Sequence, residues 1–472
     1  MDIHVVEHNE TLWKIAEKHH TNVNQIARLN QLENPNSLVV GQALVIPDAE
    51  LEYVVQPGDD LWSIANRLGL TIQELAQYNQ ITNPNLIYVG ELLETPYFPH
   101  TIQLGEYLWA IAGRYGVTIN ELLQANNLES PSLIYPGQVI RIPRTKKPVI
   151  DVNAYVTQMN EASRQEVLAL GRNFTYLSPF MYSFQEDGSL TWMQEGPILQ
   201  AAEANDVSTL MVLTNYSVDS FNSDLGAVLL RNPDVQDSLI SNILDVIHEK
   251  GYSGLNIDFE YLYPEDRQNY NNFLRRVVAR LRPEGFSVST ALAPKEGANQ
   301  QGLLYEAHDY PVHGELVDFV VLMTYEWGWA GGEPWAIAPI NKVHDILEYA
   351  VTVIPNEKIL LGMPSYGRDW KVPWVQGTYA QTVNPTQAVN LAIRYGADIQ
   401  YDQTYQSPYF QYRDEDGQEH EVWFEDARSV QQKYNVVREY NLKGISYWVL
   451  GNHFPQNWPV LQSNFTIRKI GN

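Results

Sequence analysis

The sequence predicts an α/β architecture: a (β/α)8 barrel of parallel strands with a small α+β insertion, preceded by three copies of a short βααβ unit. Three observations carry that prediction. Five residue positions recur in register three times before position 145. From Val149 onward, short apolar runs alternate with amphipathic stretches of helix length. Eight such runs fall within about 320 residues, a length that suits eight strand-helix units and an insertion.

The repeats come first. Trp13, Trp62 and Trp109 stand 49 and 47 residues apart. The same offsets relate Asn30, Asn79 and Asn126, then Pro35, Pro84 and Pro131, then Gly41, Gly90 and Gly137, then Pro47, Pro96 and Pro143. Each unit opens with a short alternating run (His4 to Glu7, Tyr53 to Gln56, Thr101 to Gln103), which reads as a strand. A turn such as Gln56-Pro57-Gly58-Asp59-Asp60 then leads into a helical stretch with apolar residues at Leu61, Ile64, Ala65 and Leu68. A second helix starts at a threonine in two copies, where Thr71 with Glu74 and Thr118 with Glu121 both fit the capping box. A closing strand ends at Ile46-Pro47, Thr95-Pro96 and Ile142-Pro143. The three modules are thus expected at 1–48, 51–97 and 98–145. Their tryptophans are expected to lie on the apolar helix face as core, and their glycines and prolines to form turns.

These repeats resemble the LysM module, a βααβ domain that binds N-acetylglucosamine-containing chains of peptidoglycan and chitin. In that family the sugar lies in a shallow groove between the first strand-helix turn and the loop before the last strand. The resemblance implies a groove at Gly58, Asp59, Asp60 and Leu61 with Pro84, Leu86 and Ile87. In the third copy it implies Gly105, Glu106, Tyr107 and Leu108 with Pro131, Leu133 and Ile134. The first copy departs, with His8-Asn9-Glu10 where the second has Pro57-Gly58-Asp59. Weak sites in tandem act on a polymer by avidity.

A short basic, proline-bearing run from Arg141 to Pro148 marks the expected boundary to a second domain at 149–472. Strands are expected at Val149 to Val156, Tyr176 to Tyr182, Thr209 to Thr214, Gly254 to Glu260, Phe286 to Ala293, Phe319 to Tyr325, Ile359 to Pro364 and Gly444 to Val449. Helix patterns such as Val235 to Gly251 and Tyr270 to Leu281 lie between them. The interval from about 368 to 426 is too long for one crossover helix. It holds a helical run, Thr386 to Tyr395, and a hairpin signal around Asp414 with a solvated acidic tip, so it is expected to be the α+β insertion.

The fourth strand is chemically divided. Leu255, Ile257 and Phe259 are apolar, whereas Asn256, Asp258 and Glu260 are two apart and therefore share the other face. Carboxylates on a buried face are costly unless paired, hydrogen-bonded or at work. In a parallel barrel the carboxyl ends of the strands are where chemistry is done. Strand six ends in Met323-Thr324-Tyr325-Glu326 and strand eight in Tyr447-Trp448, which would bring them to the same mouth.

Composition narrows the partners. A formal net charge of -25 in 472 residues leaves no basic excess for nucleic acid or anionic membrane surfaces. The absence of cysteine excludes disulfides, thiolate metal sites and a cysteine nucleophile. No apolar run has the length of a membrane span, and Met1 to Glu7 lacks a basic segment followed by an apolar one, so no secretion signal is expected. His308, Asp309 and His313 have ligand-like side chains without coherent spacing; neither a metal nor another cofactor is expected. The 12 Trp and 29 Tyr supply core, and also flat faces on which pyranose rings stack.

The second domain resembles glycoside hydrolase family 18, whose hallmarks are D-x-x-D-x-D-x-E on strand four, M-x-Y-D on strand six and a tryptophan on strand eight. The resemblance implies a TIM barrel and a substrate-assisted, retaining mechanism in which the 2-acetamido oxygen attacks the anomeric carbon. It makes Glu260 the general acid, with a pKa raised by burial and by Asp258. Asp258 would orient the acetamido N–H, Tyr325 would donate its hydroxyl to the acetamido oxygen, and Trp448 would form the floor under the sugar. Met323 and Asn256 complete the expected substrate-binding set. Ser253 and Asn256 stand where the family has its first two aspartates, and Glu326 replaces the aspartate after Tyr325. A neutral amide at 256 can hydrogen-bond Asp258 but cannot share its proton, so a departure in pH profile is expected.

Further likeness lies in Ser407-Pro408-Tyr409-Phe410, in His420 to Asp426 and in Gly444 to Gly451. The combination resembles the spore cortex-lytic N-acetylglucosaminidases of endospore-forming bacteria. It implies a monomer that acts on peptidoglycan or another N-acetylglucosamine-containing glycan, at the spore coat and cortex, during germination. A chitinase is the alternative within the enzyme class. A catalytically inactive wall-binding coat protein is the alternative outside it, with the altered aspartates as its evidence.

Overall fold

In the first 148 residues the same local chemistry builds the same unit three times. The computed structural model describes residues 1–48, 51–144 and 147–470, so Thr145 and Lys146 of the expected linker lie outside the described residues. Each repeat pairs two short strands: Asp2–Val5 with Ala43–Ile46, Glu52–Val54 with Leu92–Glu94, and Tyr97–Thr101 with Val139–Pro143. Two helices lie between the strands, for example Leu61–Arg67 and Ile72–Tyr78 in the second copy. Both expected capping boxes form, Thr71 with Glu74 and Thr118 with Glu121, satisfying N–H groups that have no partner within the helix.

The repeated asparagine has a specific use. Asn79 Nδ2 donates to the Leu75 and Glu94 carbonyls at 2.8 and 2.9 Å while its Oδ1 accepts from the Glu94 N–H at 2.8 Å, tying the second helix to the closing strand. Asn30 and Asn126 repeat the arrangement on Val45 and Arg141. Gly41, Gly90 and Gly137 occupy the left-handed region, with φ of 82°, 89° and 84°, where a side chain would be strained.

The tryptophans correct the expectation. Trp13, Trp62 and Trp109 are 63%, 62% and 67% exposed, not core. The buried stripe is Leu61, Ile64 and Ala65 with its counterparts in the other copies. An indole one position after the stripe's first leucine is turned about 100° away from it.

The chain divides into two compact units with the principal boundary between Pro148 and Val149. The second contains eight parallel strands, here β1 (Val149–Val156), β2 (Tyr176–Pro179), β3 (Ser208–Thr214), β4 (Gly254–Asp258), β5 (Ser287–Leu292), β6 (Phe319–Leu322), β7 (Ile359–Pro364) and β8 (Gly444–Leu450). Each pairs with the next and β8 pairs with β1, closing a TIM barrel. Helices such as Pro233–Lys250 and Arg267–Leu281 cover the outside. Alternation divides β4 as expected: Phe259, just past its end, faces outward and stacks on Tyr270 and Phe273 of the second of these helices. The interior of the barrel has an apolar layer of Tyr176, Leu210, Ala291, Phe319, Val321 and Leu360. A polar layer follows, in which Ser178 donates to Asn153 and Asn153 to Ser446.

Between β7 and β8 lies an antiparallel sheet of five strands, in the order Gln381–Val383, Gly367–Val372, Glu419–Trp423, Ser407–Arg413, Gln400–Asp402. The helix Pro385–Tyr395 packs Ala388 and Ala392 against Phe410 and Val422 of this sheet. The hairpin tip at Asp414 is closed by its own carboxylate, which accepts from the Asp416 and Gln418 N–H groups. Among the described residues no helix is long and apolar enough to cross a membrane.

Candidate active site

The strand that carries the acids ends sooner than its pattern suggests. Ladder pairing of β4 stops at Asp258, opposite Thr214 of β3, and Glu260 stands two residues beyond it. Asp258 is buried, and one of its carboxyl oxygens, Oδ1, has no hydrogen-bond partner among the described residues. Burial pushes its pKa well above the usual carboxylate range. Glu260 is partly exposed to the cleft; burial, then the charges of Asp258 and Glu326, push its carboxyl up as well. The two titrate as a pair and resist full ionisation.

Asn256 does not bond Asp258, as had been open to it. Its Oδ1 accepts from the Tyr155 hydroxyl on β1 and its Nδ2 donates to Ser289 Oγ on β5, both at 2.9 Å. Both bonds run across the barrel, one layer below the acids. Asp258 therefore lacks the neighbour that the spacing in sequence had offered it.

Tyr325 follows β6 and lines the same cleft; burial raises its pKa well above the ordinary value, so the hydroxyl keeps its proton and is available as a donor. Glu326 adopts φ of 68°, a left-handed conformation costly for a residue with a side chain. Its carboxylate is held by Arg368 at 2.8 Å and by the Tyr366 hydroxyl. Trp448 lies edge-to-face against Tyr155 and Phe180, with ring centroids 5.5 and 4.9 Å away. These groups open onto a cleft of about 690 Å³ that also includes Met323, Trp327 and Trp329. From sequence, Trp327 and Trp329 stand open between sugar platform and packing, as Trp335 and Trp423 do; Tyr155 and Phe180 give no signal there, because single aromatics carry no spacing.

His308 and His313 are bonded within the barrel wall. His308 Nδ1 accepts from the Ala293 N–H at 2.9 Å, so its Nε2 carries the proton and donates to the Phe259 carbonyl at 2.8 Å. Burial pushes its pKa down to about 4, leaving the ring uncharged at neutral pH. His313 Nδ1 bonds the Thr290 hydroxyl. Among the described residues no group of three or more His, Asp or Glu could hold a metal ion.

The residues expected to form module grooves take several parts. Gly58 and Gly105 have φ of 87° and 85° with open space around them. Asp59 accepts from the Tyr53 hydroxyl and the Gln56 N–H, both at 2.7 Å, and Asp60 caps the first helix. Glu106 holds His100 and the Gln103 N–H at 2.9 Å. Leu61 and Leu108 are core, so only their backbone can face a ligand. Pro84, Leu86, Tyr107, Pro131 and Leu133 are exposed, while Ile87 and Ile134 pack partly against their module cores.

A glycosidic oxygen needs a proton donor to leave, and sugar rings need flat apolar walls. The cleft gathers carboxyls and flat aromatic rings at the carboxyl ends of a parallel barrel, the groups that work on a sugar chain calls for; the family match makes the barrel that of a glycosidase. The chain belongs to glycosyl hydrolases family 18, which it matches over residues 153–453, and LysM domains match at residues 4–47, 53–96 and 100–143. It is 44% identical over 474 residues to the cortical fragment-lytic enzyme of Bacillus subtilis, covering 99% of each chain. The crystal structure of the Bacillus megaterium spore cortex-lytic enzyme SleL superposes with a TM-score of 0.78 at 36% identity, covering 99% of both chains. That of the Bacillus cereus enzyme SleL gives 0.78 at 37% identity, covering 100% of this chain and 99% of the other.

Proposed function

We propose that this protein hydrolyses N-acetylglucosaminyl bonds in spore cortex peptidoglycan or its fragments, with retention, and that the LysM modules hold it on the glycan. The observation that carries the reading is the buried, unpartnered Oδ1 of Asp258 beside Glu260. An acceptor in that state is costly until a donor arrives, and the N–H of a 2-acetamido group on the substrate supplies one. Seated there, the acetamido group can present its oxygen to the anomeric carbon, with the Tyr325 hydroxyl fixing the oxygen. Glu260 gives its proton to the leaving oxygen and later takes one from the water that opens the oxazolinium intermediate. Asp258 offsets the positive charge of that intermediate. Glu326, the third carboxylate of the cleft, is engaged with Arg368 and Tyr366. That the substrate's own acetamido oxygen serves as nucleophile is what membership of family 18 implies.

The whole-length likeness to a cortical fragment-lytic enzyme favours cortex over chitin as substrate and a spore location at coat and cortex. The test is to incubate the protein and its Glu260→Gln variant with cortex fragments, vegetative wall and chitin oligomers, and to identify products by mass spectrometry. New reducing ends at N-acetylglucosamine from cortex, lost in the variant, are the expected result. Products from chitin alone would replace this reading with a chitinase, and equal product from the variant would remove Glu260 from the mechanism.

A further inference from the structure

The backbone of Glu260 is held by side chains where strand pairing has ended. On one side β4 pairs with β3 as far as Asp258, and on the other with β5 as far as Ile257. The peptide that joins Phe259 to Glu260 lies beyond both ladders, yet its two polar atoms are bonded. Its carbonyl accepts from His308 Nε2 at 2.8 Å, and its N–H donates to Asn215 Oδ1 at 3.0 Å. The next carbonyl, that of Glu260 itself, accepts from Asn215 Nδ2 at 2.9 Å. Asn215 follows β3 directly and is fully buried. Its second Nδ2 hydrogen goes to the Asn222 carbonyl at 3.0 Å, and the Asn222 N–H returns to the Asn215 carbonyl at 2.9 Å. Every donor and acceptor of this amide is therefore used, and two of its bonds go to one residue. Tyr261, immediately after, turns away at φ of 53° with its carbonyl taken by the Ser223 hydroxyl.

We propose that Asn215 and His308 are positioning residues that set the aim of the Glu260 carboxyl by clamping the backbone from which it projects. The inference rests on the reading of Glu260 as the general acid. A carboxyl at the end of a flexible side chain can be no better placed than its own backbone, and productive geometry tolerates errors of only about 0.5 Å. An asparagine is suited to the task because its amide presents an acceptor and a donor side by side, the pattern of a strand edge. It extends the β4 ladder by one residue, at the position that bears the acid. His308 reaches the same peptide from the β5 side and holds its carbonyl with an uncharged ring. Neither residue touches the substrate.

The test separates acid placement from general damage by changing the leaving group. Full-length Asn215→Ala, Asn215→Asp, His308→Ala and His308→Gln, with Glu260→Gln as reference, are assayed for kcat/KM on two substrates with the same N-acetylglucosaminyl donor. One has a sugar leaving group, as in cortex glycan, and needs a proton; the other releases 4-nitrophenolate, which does not. Asn215→Ala and His308→Ala should lose about 100-fold on the glycan and less than about threefold on the nitrophenyl glycoside. His308→Gln, which can place an N–H donor against the Phe259 carbonyl, should recover most of the glycan activity. Asn215→Asp loses both donors and should behave as Asn215→Ala. If Asn215→Ala does not fold, the two His308 variants decide by the same comparison. Equal losses on both substrates, or none, alongside a selective loss in Glu260→Gln, would overturn the clamp alone. An unselective Glu260→Gln would overturn the assignment of the acid, and the clamp with it.

Discussion

Gly362 of β7 gives the ring of Tyr325 its room, and adding one methyl there measures how closely the tyrosine must be placed. A Cβ on Gly362 would lie 2.8 Å from Tyr325 Cε1 and 2.4 Å from the Leu322 carbonyl oxygen. Carbon atoms pack at no less than about 3.5 Å, so the ring must retreat by about 0.7 Å. The strands cannot slide apart freely, because the Thr324 hydroxyl donates to the Gly362 carbonyl at 2.9 Å. Overpacking of this kind costs about 1–3 kcal/mol of stability. Displacement of a group aligned on the reacting atoms costs up to about 100-fold in rate. Gly362→Ala should therefore lower the melting temperature moderately and kcat on cortex fragments by about 30- to 100-fold, with KM changed by less than about threefold. Release of reducing ends and a thermal melt on one preparation give both quantities. A kcat within about threefold of the parent, accompanied by the expected loss of stability, would refute the claim that the Tyr325 ring must be held in place.

Three further outcomes follow from other parts of the molecule. Glu260→Gln should lower kcat by about 10²- to 10⁴-fold and leave binding to insoluble cortex glycan by the intact chain unchanged; joint loss of both in a pull-down would contradict the separation of roles. The folded-state pKa values of Asp258 and Glu260 are raised by burial, so the native state holds more protons than the unfolded one, and their contribution to stability is full below about pH 4 and lost as pH rises through the folded values. Asp258→Asn removes one of these titrations, and its melting temperature should fall less than the parent's from about pH 5 to about pH 8; parallel curves would show that the buried pair carries no such linkage. Asn79→Ala leaves the Glu94 N–H and carbonyl without their partner, while the Leu75 carbonyl keeps the backbone N–H of residue 79, and should destabilise the second module by about 2–3 kcal/mol. Hydrogen exchange should rise across residues 72–94 with no change in the barrel strands, and unchanged protection would contradict the role given to the amide.

Much of this architecture was legible because it is periodic. Three copies in register, eight apolar runs and the two-residue spacing of Asn256, Asp258 and Glu260 are patterns that local geometry imposes on any chain. Contacts between distant segments leave no such pattern. Tyr155, which donates to the Asn256 amide oxygen, lies 101 positions away, and Asn215 lies 45 positions before the acid whose backbone it holds. A single asparagine after a strand looks like any turn former until the strands close into a barrel. For His308 the sequence offers only a ligand-like side-chain type without coherent spacing, which argues against a metal and says nothing of the two backbone groups its ring bonds. The module tryptophans failed differently: their proximity to an apolar stripe was read as membership, although helical rotation places them beside it.

Those same tryptophans make the protein its own optical probe. Of 12 indoles in the chain, five are exposed, and three of these sit one per module at the equivalent position. An indole in water emits to the red of one in a core and is open to collision with a soluble quencher. Light collected from the long-wavelength edge of the emission is thus weighted towards the modules. Of the other two, Trp192 and Trp329, the second lines the catalytic cleft. With Trp329 replaced by phenylalanine, glycan shading a module ring would shift and protect that edge, so occupancy of the modules can be followed in the unlabelled, full-length protein while the barrel turns over the same polymer.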